Sequence, residues 1–127
     1  MTKDEETWFV DSSDPTYKSK TIFSGYLWDD NSRLPVHRKK AYVYALKHDK
    51  EIGHDEHVHH INATKTDNDP NNLIILHKWI HFAIHAALMV IPYLQRAEIS
   101  TMQLRTPESL VALLKEAGVP YMWLGDE

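Results

Sequence analysis

Cysteine is absent from the 127 residues of this chain, so disulfide bonds and thiolate metal sites are both excluded. Any metal ion must therefore be held by histidine, carboxylate, amide or water ligands. No apolar run approaches the length of a membrane-spanning helix, and the acidic start, Met-Thr-Lys-Asp-Glu-Glu, is not that of a signal peptide. The sequence predicts a soluble, intracellular protein that forms one compact domain.

Positive charge is also scarce, because the formal net charge is -4 and the pI is about 6.1. Such a balance argues against a nucleic-acid-binding protein when the chain is taken as a whole. Residues 1–32 carry 3 basic and 7 acidic side chains, residues 33–85 carry 8 and 6, and residues 86–127 carry 3 and 5. The histidine-rich centre is therefore the only net-basic segment.

The order of apolar and turn-forming residues predicts an α+β fold. A surface arm (1–20) is expected to precede a hairpin built from Thr21–Trp28, a turn at 29–32 and Leu34–His37. Strands are predicted over His57–Ile61 and Leu73–Leu76, separated by a polar loop, Asn62–Asn72. Helices are predicted over Arg38–Lys47, from Lys78 to Pro92, and after the N-cap residue Thr106, with Tyr121–Leu124 as a hydrophobic plug.

The same periodicity predicts which helix faces point inward. For the first helix these are Ala41, Val43 or Tyr44, and Leu46. For the helix after Lys78 they are Trp79, Phe82, Ala83, Ala86, Ala87 and Val90, with Trp28 and Trp79 expected in the core rather than as stacking platforms.

Four histidines form the candidate site. His81 and His85 are four residues apart on a predicted helix and share one face, and a hairpin folding back would bring His59 to the same point. Three imidazoles suit a divalent metal ion, and His60 is then available as a base. Adjacent residues in a regular strand face opposite ways, so the strand must end or bend for both His59 and His60 to flank one phosphate.

The spacing of these residues resembles a known pattern. Leu34-Pro-Val-His-Arg38, Val58-His-His-Ile-Asn62, Asp67-Asn68, Pro70, Asn72-Leu73, His81 and His85 are similar to the motif of the HNH endonuclease family, in particular its small phage-type members. The resemblance covers roughly residues 33–85. It implies a ββα-metal core at 33–91, between an N-terminal arm and hairpin (1–32) and a helical C-terminal extension (92–127).

The resemblance also implies roles for individual residues. His60 matches the general base, His59, His81 and His85 match the metal ligands, and Asn72 matches the asparagine that holds the loop, with Asn68 supporting it. Ala63 departs from the family, which usually has glycine there, and His77 stands where Ser or Thr would cap the helix. Because His77 continues the spacing of His81 and His85, it is a rival ligand.

Basic side chains near this stretch are expected to contact phosphate, and they are Arg38, Lys39, Lys40, Lys65 and Lys78. His57, two residues before His59, is within reach of substrate or metal, although isolated histidines are usually structural.

The family likeness implies a nuclease that cleaves DNA in the cytoplasm of a host cell with one divalent ion, Zn²⁺, Ni²⁺, Mn²⁺ or Mg²⁺. A homodimer or a phage protein partner would compensate for the low charge. The alternatives are a catalytically silent, metal-stabilised DNA-binding or packaging module and a toxin-type nuclease.

Overall fold

The structure is a computed structural model, and it describes residues 21–23, 26–29, 34–94 and 99–126. Within these residues the chain is α+β, as predicted, with two small antiparallel sheets and four α-helices. The predicted arm at residues 1–20 lies outside the described part. No helix in the described segments has both the length and the apolar character needed to cross a bilayer.

The first sheet has the order β1-β2-β3, with β1 at Thr21–Phe23, β2 at Tyr26–Asp29 and β3 at Leu34–Pro35. The predicted hairpin is confirmed, since Trp28 pairs with Pro35 in antiparallel register. The long predicted strand is instead two paired strands, so this sheet has three strands.

Helix α1 runs over Val36–Lys47 and begins two residues earlier than predicted. Its buried residues include Val36, His37, Ala41 and Ala45, so Ala41 faces inward as expected. Leu46 was placed on the wrong side, because it is 65% exposed. Because alanine side chains are small, they allow α1 to lie close to the second sheet. The helix therefore buries the face with Ala41 and Ala45 and leaves Leu46 exposed.

The second sheet has the order β4-β5-β6, with β4 at Glu56–His60, β5 at Leu73–His77 and β6 at Met122–Trp123. Both predicted central strands are confirmed to within a residue, and β4 lies at the sheet edge in this part of the chain. Helix α2, Lys78–Val90, follows β5 without a loop. A 3₁₀ turn, Pro70–Asn72, ends the polar loop.

The inward face of α2 was predicted correctly only at Ala87. Trp79 is 64% exposed and Phe82 50% exposed, and Ala83, Ala86 and Val90 are also exposed. Ala87 contacts the core together with Ile80, Ile84, Leu88 and, just after the helix, Ile91. Large apolar residues lie on more than one side of this helix, and only Lys78, His81 and His85 mark a polar side, so the sequence pattern alone does not identify the buried face.

Two helices follow α2, namely α3 at Thr101–Arg105 and α4 at Pro107–Glu116. Helix α3 was not predicted, although Ser100 and Gln103 form the reciprocal capping box that marks a helix start. Thr106 occupies the N-cap position of α4 as expected, but its hydroxyl donates to the carbonyl of Met102 (2.8 Å). The predicted hydrophobic plug, Tyr121–Leu124, contains the short strand β6, and Leu124, which follows this strand, is buried.

Both faces of the β4-β5-β6 sheet are covered by apolar side chains. One core contains Ile61, Ile74, Leu76, Ile84, Leu104, Leu110, Val111 and Leu114, and the other contains Ala41, Leu73, Ile75 and Leu124. Because side chains alternate along a strand, His57 and His59 point to the α2 side, whereas Val58 and His60 point to the α1 side.

Ala63 adopts a left-handed backbone conformation, with φ 66°, in the turn after β4. This conformation costs a residue with a Cβ about 1–2 kcal/mol, whereas glycine adopts it freely but is more flexible when unfolded. We expect Ala63→Gly to raise the free energy of unfolding by about 0.5–1 kcal/mol in urea titrations. The control Ala112→Gly, on the exposed side of α4, should lower it by about 1 kcal/mol. Equal losses in both variants would contradict the strain at Ala63.

Candidate metal centre

Three histidines from two elements converge on one point beside β4. His59 comes from the strand, and His81 and His85 come from adjacent turns of α2. One ring nitrogen from each of the three lies within 4.8 Å of the others. The ring centroids are 4.9 Å apart for His59–His81, 5.2 Å for His59–His85 and 4.6 Å for His81–His85. The predicted ligand set is therefore brought together by the fold.

The chemistry of these side chains fits a metal ion. His59 is only 1% exposed, and its buried Nε2 has no hydrogen-bond partner among the described residues. Burial, reinforced by the neighbouring imidazoles, lowers the pKa of His59 to about 3 and that of His81 to about 4. Both rings are neutral at pH 7, so their lone pairs are available for coordination. The group His59, His81 and His85 could thus hold a metal ion.

His57 contacts the outer side of this group. Its Nδ1 lies 2.9 Å from Nδ1 of His81, so the two rings share one proton between these atoms. A hydrogen bond to the nitrogen that does not face the metal fixes the orientation of a ligating imidazole. The signal for this contact in the sequence was the two-residue spacing from His59, which places both on one strand face.

His77 lies outside the ligand group. It is exposed, and its Nδ1 accepts a hydrogen bond from the backbone N–H of Trp79 (3.2 Å) at the start of α2. His77 therefore performs the capping that Ser or Thr would provide, and of the two rival ligands it is His85 that lies in the group that could hold a metal ion.

His60 projects from the opposite face of β4. His59 pairs with Ile74 and His60 with Leu73, so the ladder is regular across both histidines, and the strand ends at His60. The expected bend is absent, and the alternative, a strand end, is what the structure has. Because β4 is an edge strand that ends at His60, a substrate that approaches this edge can contact both His59 and His60, although they lie on opposite faces of the sheet.

Asn68 fixes the state of the His60 ring. Its Oδ1 accepts a hydrogen bond from Nε2 of His60 (2.8 Å), which leaves Nδ1 as the nitrogen with a lone pair. Burial lowers the pKa of His60, and the bond to Asn68 opposes that shift. His60 is therefore a neutral imidazole at pH 7 with one nitrogen able to accept a proton.

Two aromatic rings enclose His60, and the sequence interpretation had given neither of them a role. His37 lies 4.8 Å from the His60 ring, and Tyr26 stacks on His37 at the same centroid distance, 4.8 Å. Nδ1 of His37 is buried without a partner in the described chain, and burial lowers the pKa of His37 to about 3. The sequence Val36-His37-Arg38 could have indicated the position of His37 in the site, because a histidine at the start of a helix can face the sheet against which the helix packs.

Asn72 holds the loop between the strands. Its Oδ1 accepts from the backbone N–H of Asn62 (2.8 Å), and its Nδ2 donates to Asn62 Oδ1 and to the Asp67 carbonyl (both 2.9 Å). Lys40 braces the same loop by donating to the Asn68 carbonyl (2.6 Å). The loop-holding role expected of Asn72 fits these contacts, while Asn68 contacts the base more directly than expected.

The predicted phosphate contacts differ in accessibility. Arg38 and Lys65 are exposed, with Lys65 Nζ 4.9 Å from the centre of the Tyr26 ring. Lys78 is partly exposed and pairs with Asp55 at 3.0 Å. Lys39 was predicted incorrectly, because it is 2% exposed and its Nζ lies 2.5 Å from Asp29 Oδ2. A sealed ammonium group of this kind cannot reach a DNA backbone.

The structure thus brings together the four histidines and two asparagines singled out in the sequence, and it adds His37, Tyr26 and His57 around them. Of the basic residues, Arg38 and Lys65 remain exposed near the site. Comparison with models of known protein families, with curated proteins and with solved structures finds no match for the chain.

Proposed function

We propose that this protein is a metal-dependent endonuclease of the HNH type, with a ββα-metal core formed by β4, β5 and α2, that hydrolyses phosphodiester bonds in DNA. One observation carries the proposal. His59, which belongs to the three-imidazole group, and His60, whose Nε2 is fixed by Asn68, are consecutive residues at the end of an edge strand.

This arrangement suits a substrate that crosses the strand edge. The ligand group lies on the α2 side of β4, and the His60 ring lies on the α1 side. A phosphate placed over the end of the strand would have the metal ligands on one flank and a base on the other. In-line displacement at phosphorus needs groups on opposite sides of the reacting atom, which two neighbouring strand residues supply.

In the proposed reaction, Nδ1 of His60 accepts a proton from the water that attacks phosphorus. A new bond forms between the water oxygen and phosphorus, and the bond to the 3′ oxygen breaks. Asn68 holds the His60 ring through Nε2, and this hydrogen bond strengthens as the ring becomes positively charged. A divalent ion bound by His59, His81 and His85 would neutralise the charge that develops on the phosphoryl and leaving oxygens.

The donor set indicates which ions to test. Three imidazoles suit Zn²⁺, Ni²⁺ or Mn²⁺, while Mg²⁺ prefers oxygen ligands and would depend on phosphate and water to complete its shell. The exposed cations Arg38 and Lys65 supply affinity for the backbone that does not depend on sequence.

The direct test is cleavage of supercoiled plasmid by metal-stripped protein to which Mg²⁺, Mn²⁺, Ni²⁺ or Zn²⁺ is returned. We expect nicked or linear product with at least one ion and none in EDTA, scored on agarose gels. If every ion raises the melting temperature and none supports cleavage, the proposal fails in favour of a metal-stabilised DNA-binding module.

A further inference from the structure

An open cavity of about 440 Å³ lies next to the metal centre, between α1 and the beginning of β4. Its lining includes Arg38 and Tyr42 of α1, Ile52 of the connecting segment, and Glu56, His57 and Val58 of β4. None of the roles assigned above requires a cavity at this place.

The cavity adjoins the metal centre and is lined by the helix that carries His37. His57, which lines it, has its Nδ1 2.9 Å from Nδ1 of the ligand histidine His81. Arg38, which also lines it, follows His37, whose ring is 4.8 Å from the His60 ring. Along β4, His57 and His60 are three residues apart, or roughly 10 Å at the rise of an extended strand. The cavity is therefore close to the proposed reaction site along the same strand.

The lining combines the groups that a nucleotide needs. Ile52 and Val58 provide an apolar wall, and the Tyr42 ring provides an aromatic surface of the kind on which bases stack. Arg38 offers a planar guanidinium that matches a phosphate. Oε1 of Glu56 accepts a hydrogen bond from the Gly53 N–H (3.1 Å), which holds the carboxylate at the wall of the cavity. A carboxylate selects a base with an exocyclic amino group, such as cytosine.

We propose that this cavity binds one unstacked nucleotide of the substrate strand, next to the phosphate that is cut. Arg38 contacts its phosphate, Tyr42 packs on its base, and Glu56 accepts a hydrogen bond from the amino group of that base. This inference rests on the proposed nuclease function and adds a substrate preference to it. Single-stranded or distorted DNA, with an amino-bearing base beside the cut, is the favoured substrate.

The first test is binding without cleavage. The full chain is titrated with dCMP and with dTMP by calorimetry, in EDTA and again with Zn²⁺, so that binding by the cavity is separated from binding of phosphate to the metal. We expect dCMP to bind about tenfold more tightly than dTMP in both conditions. Arg38→Gln should weaken dCMP binding by about tenfold or more, and Glu56→Gln should abolish the preference for dCMP. The matched control is Lys50→Gln, an exposed cation outside the cavity, which should change neither value.

The second test is cleavage of single-stranded oligonucleotides that carry dC or dT at each position beside the cut. A preference for dC that is lost in Glu56→Gln supports the proposal. Equal affinity for dCMP and dTMP, or nucleotide binding with no base preference in cleavage, overturns it. If the chain binds dCMP through Arg38 but cuts no DNA, the cavity stands and the nuclease proposal fails.

Discussion

Replacing His60 by alanine is expected to reduce plasmid cleavage by about 10²- to 10⁴-fold, because the variant has no group in position to accept the proton of the attacking water. Metal affinity should change little, since His60 and the ligand group lie on opposite faces of β4. Initial cleavage rates and metal titration calorimetry, measured on the same preparations, separate these two effects.

His60→Gln guards against a trivial loss of folding in this experiment. The nitrogen of its side-chain amide takes the place of Nε2 and can still donate to Asn68 Oδ1, so it keeps the buried contact without providing a base. His48→Ala is the matched control, because His48 is an exposed imidazole at the end of α1 that contacts Tyr44 and not the site. Cleavage at the wild-type rate by either His60 variant would remove His60 from the mechanism.

Replacing His59 by alanine is expected to abolish the stabilisation that metal gives to the fold. A single-site ligand at 100 times its dissociation constant stabilises a protein by about 2.7 kcal/mol, and this gain disappears when affinity is lost. The measured quantity is the difference in free energy of unfolding with Zn²⁺ and with EDTA. Taking the difference matters because His59 is 1% exposed, so its truncation destabilises the fold in both conditions.

Two further variants assign the ligands. His85→Ala, at an exposed position, should remove the metal-dependent gain with little effect on the metal-free protein. His77→Ala should retain the gain and lose only the helix cap, about 0.5–1 kcal/mol. If His77→Ala removes the gain and His85→Ala does not, the ligand set is wrong.

The sequence was sufficient for the parts of the site that follow from local geometry. His81 and His85 share a helix face because they are four residues apart, and His59 lies beside that face because β4 pairs with β5, which α2 follows without a loop. Asn72 lies at the end of the loop it closes, so its contacts with Asn62 and Asp67 are also local.

Contacts between distant elements could not be read in the same way. Lys39, on α1, is buried because it pairs with Asp29, which lies on β2 in the first sheet. The sequence alone does not show this pair, and a lysine without a known partner is usually exposed to solvent. The stacking of Tyr26 and His37 around His60 joins three separate elements, and no periodicity reports it. The exposed side of α2 was misread because Trp79 and Phe82 are as apolar as Ile80 and Ile84.

The order of elements along the chain has a consequence for biosynthesis. All residues of the proposed metal centre precede the end of α2, whereas β6 joins the sheet only after α3 and α4. During translation the complete set of ligands therefore leaves the ribosome before the strand that completes the sheet. A hairpin followed directly by a helix forms through contacts that are close in sequence, which favours early assembly. Binding of a metal ion at the proposed centre would add to the folding free energy, so we expect the supply of metal during synthesis to change the yield of folded protein.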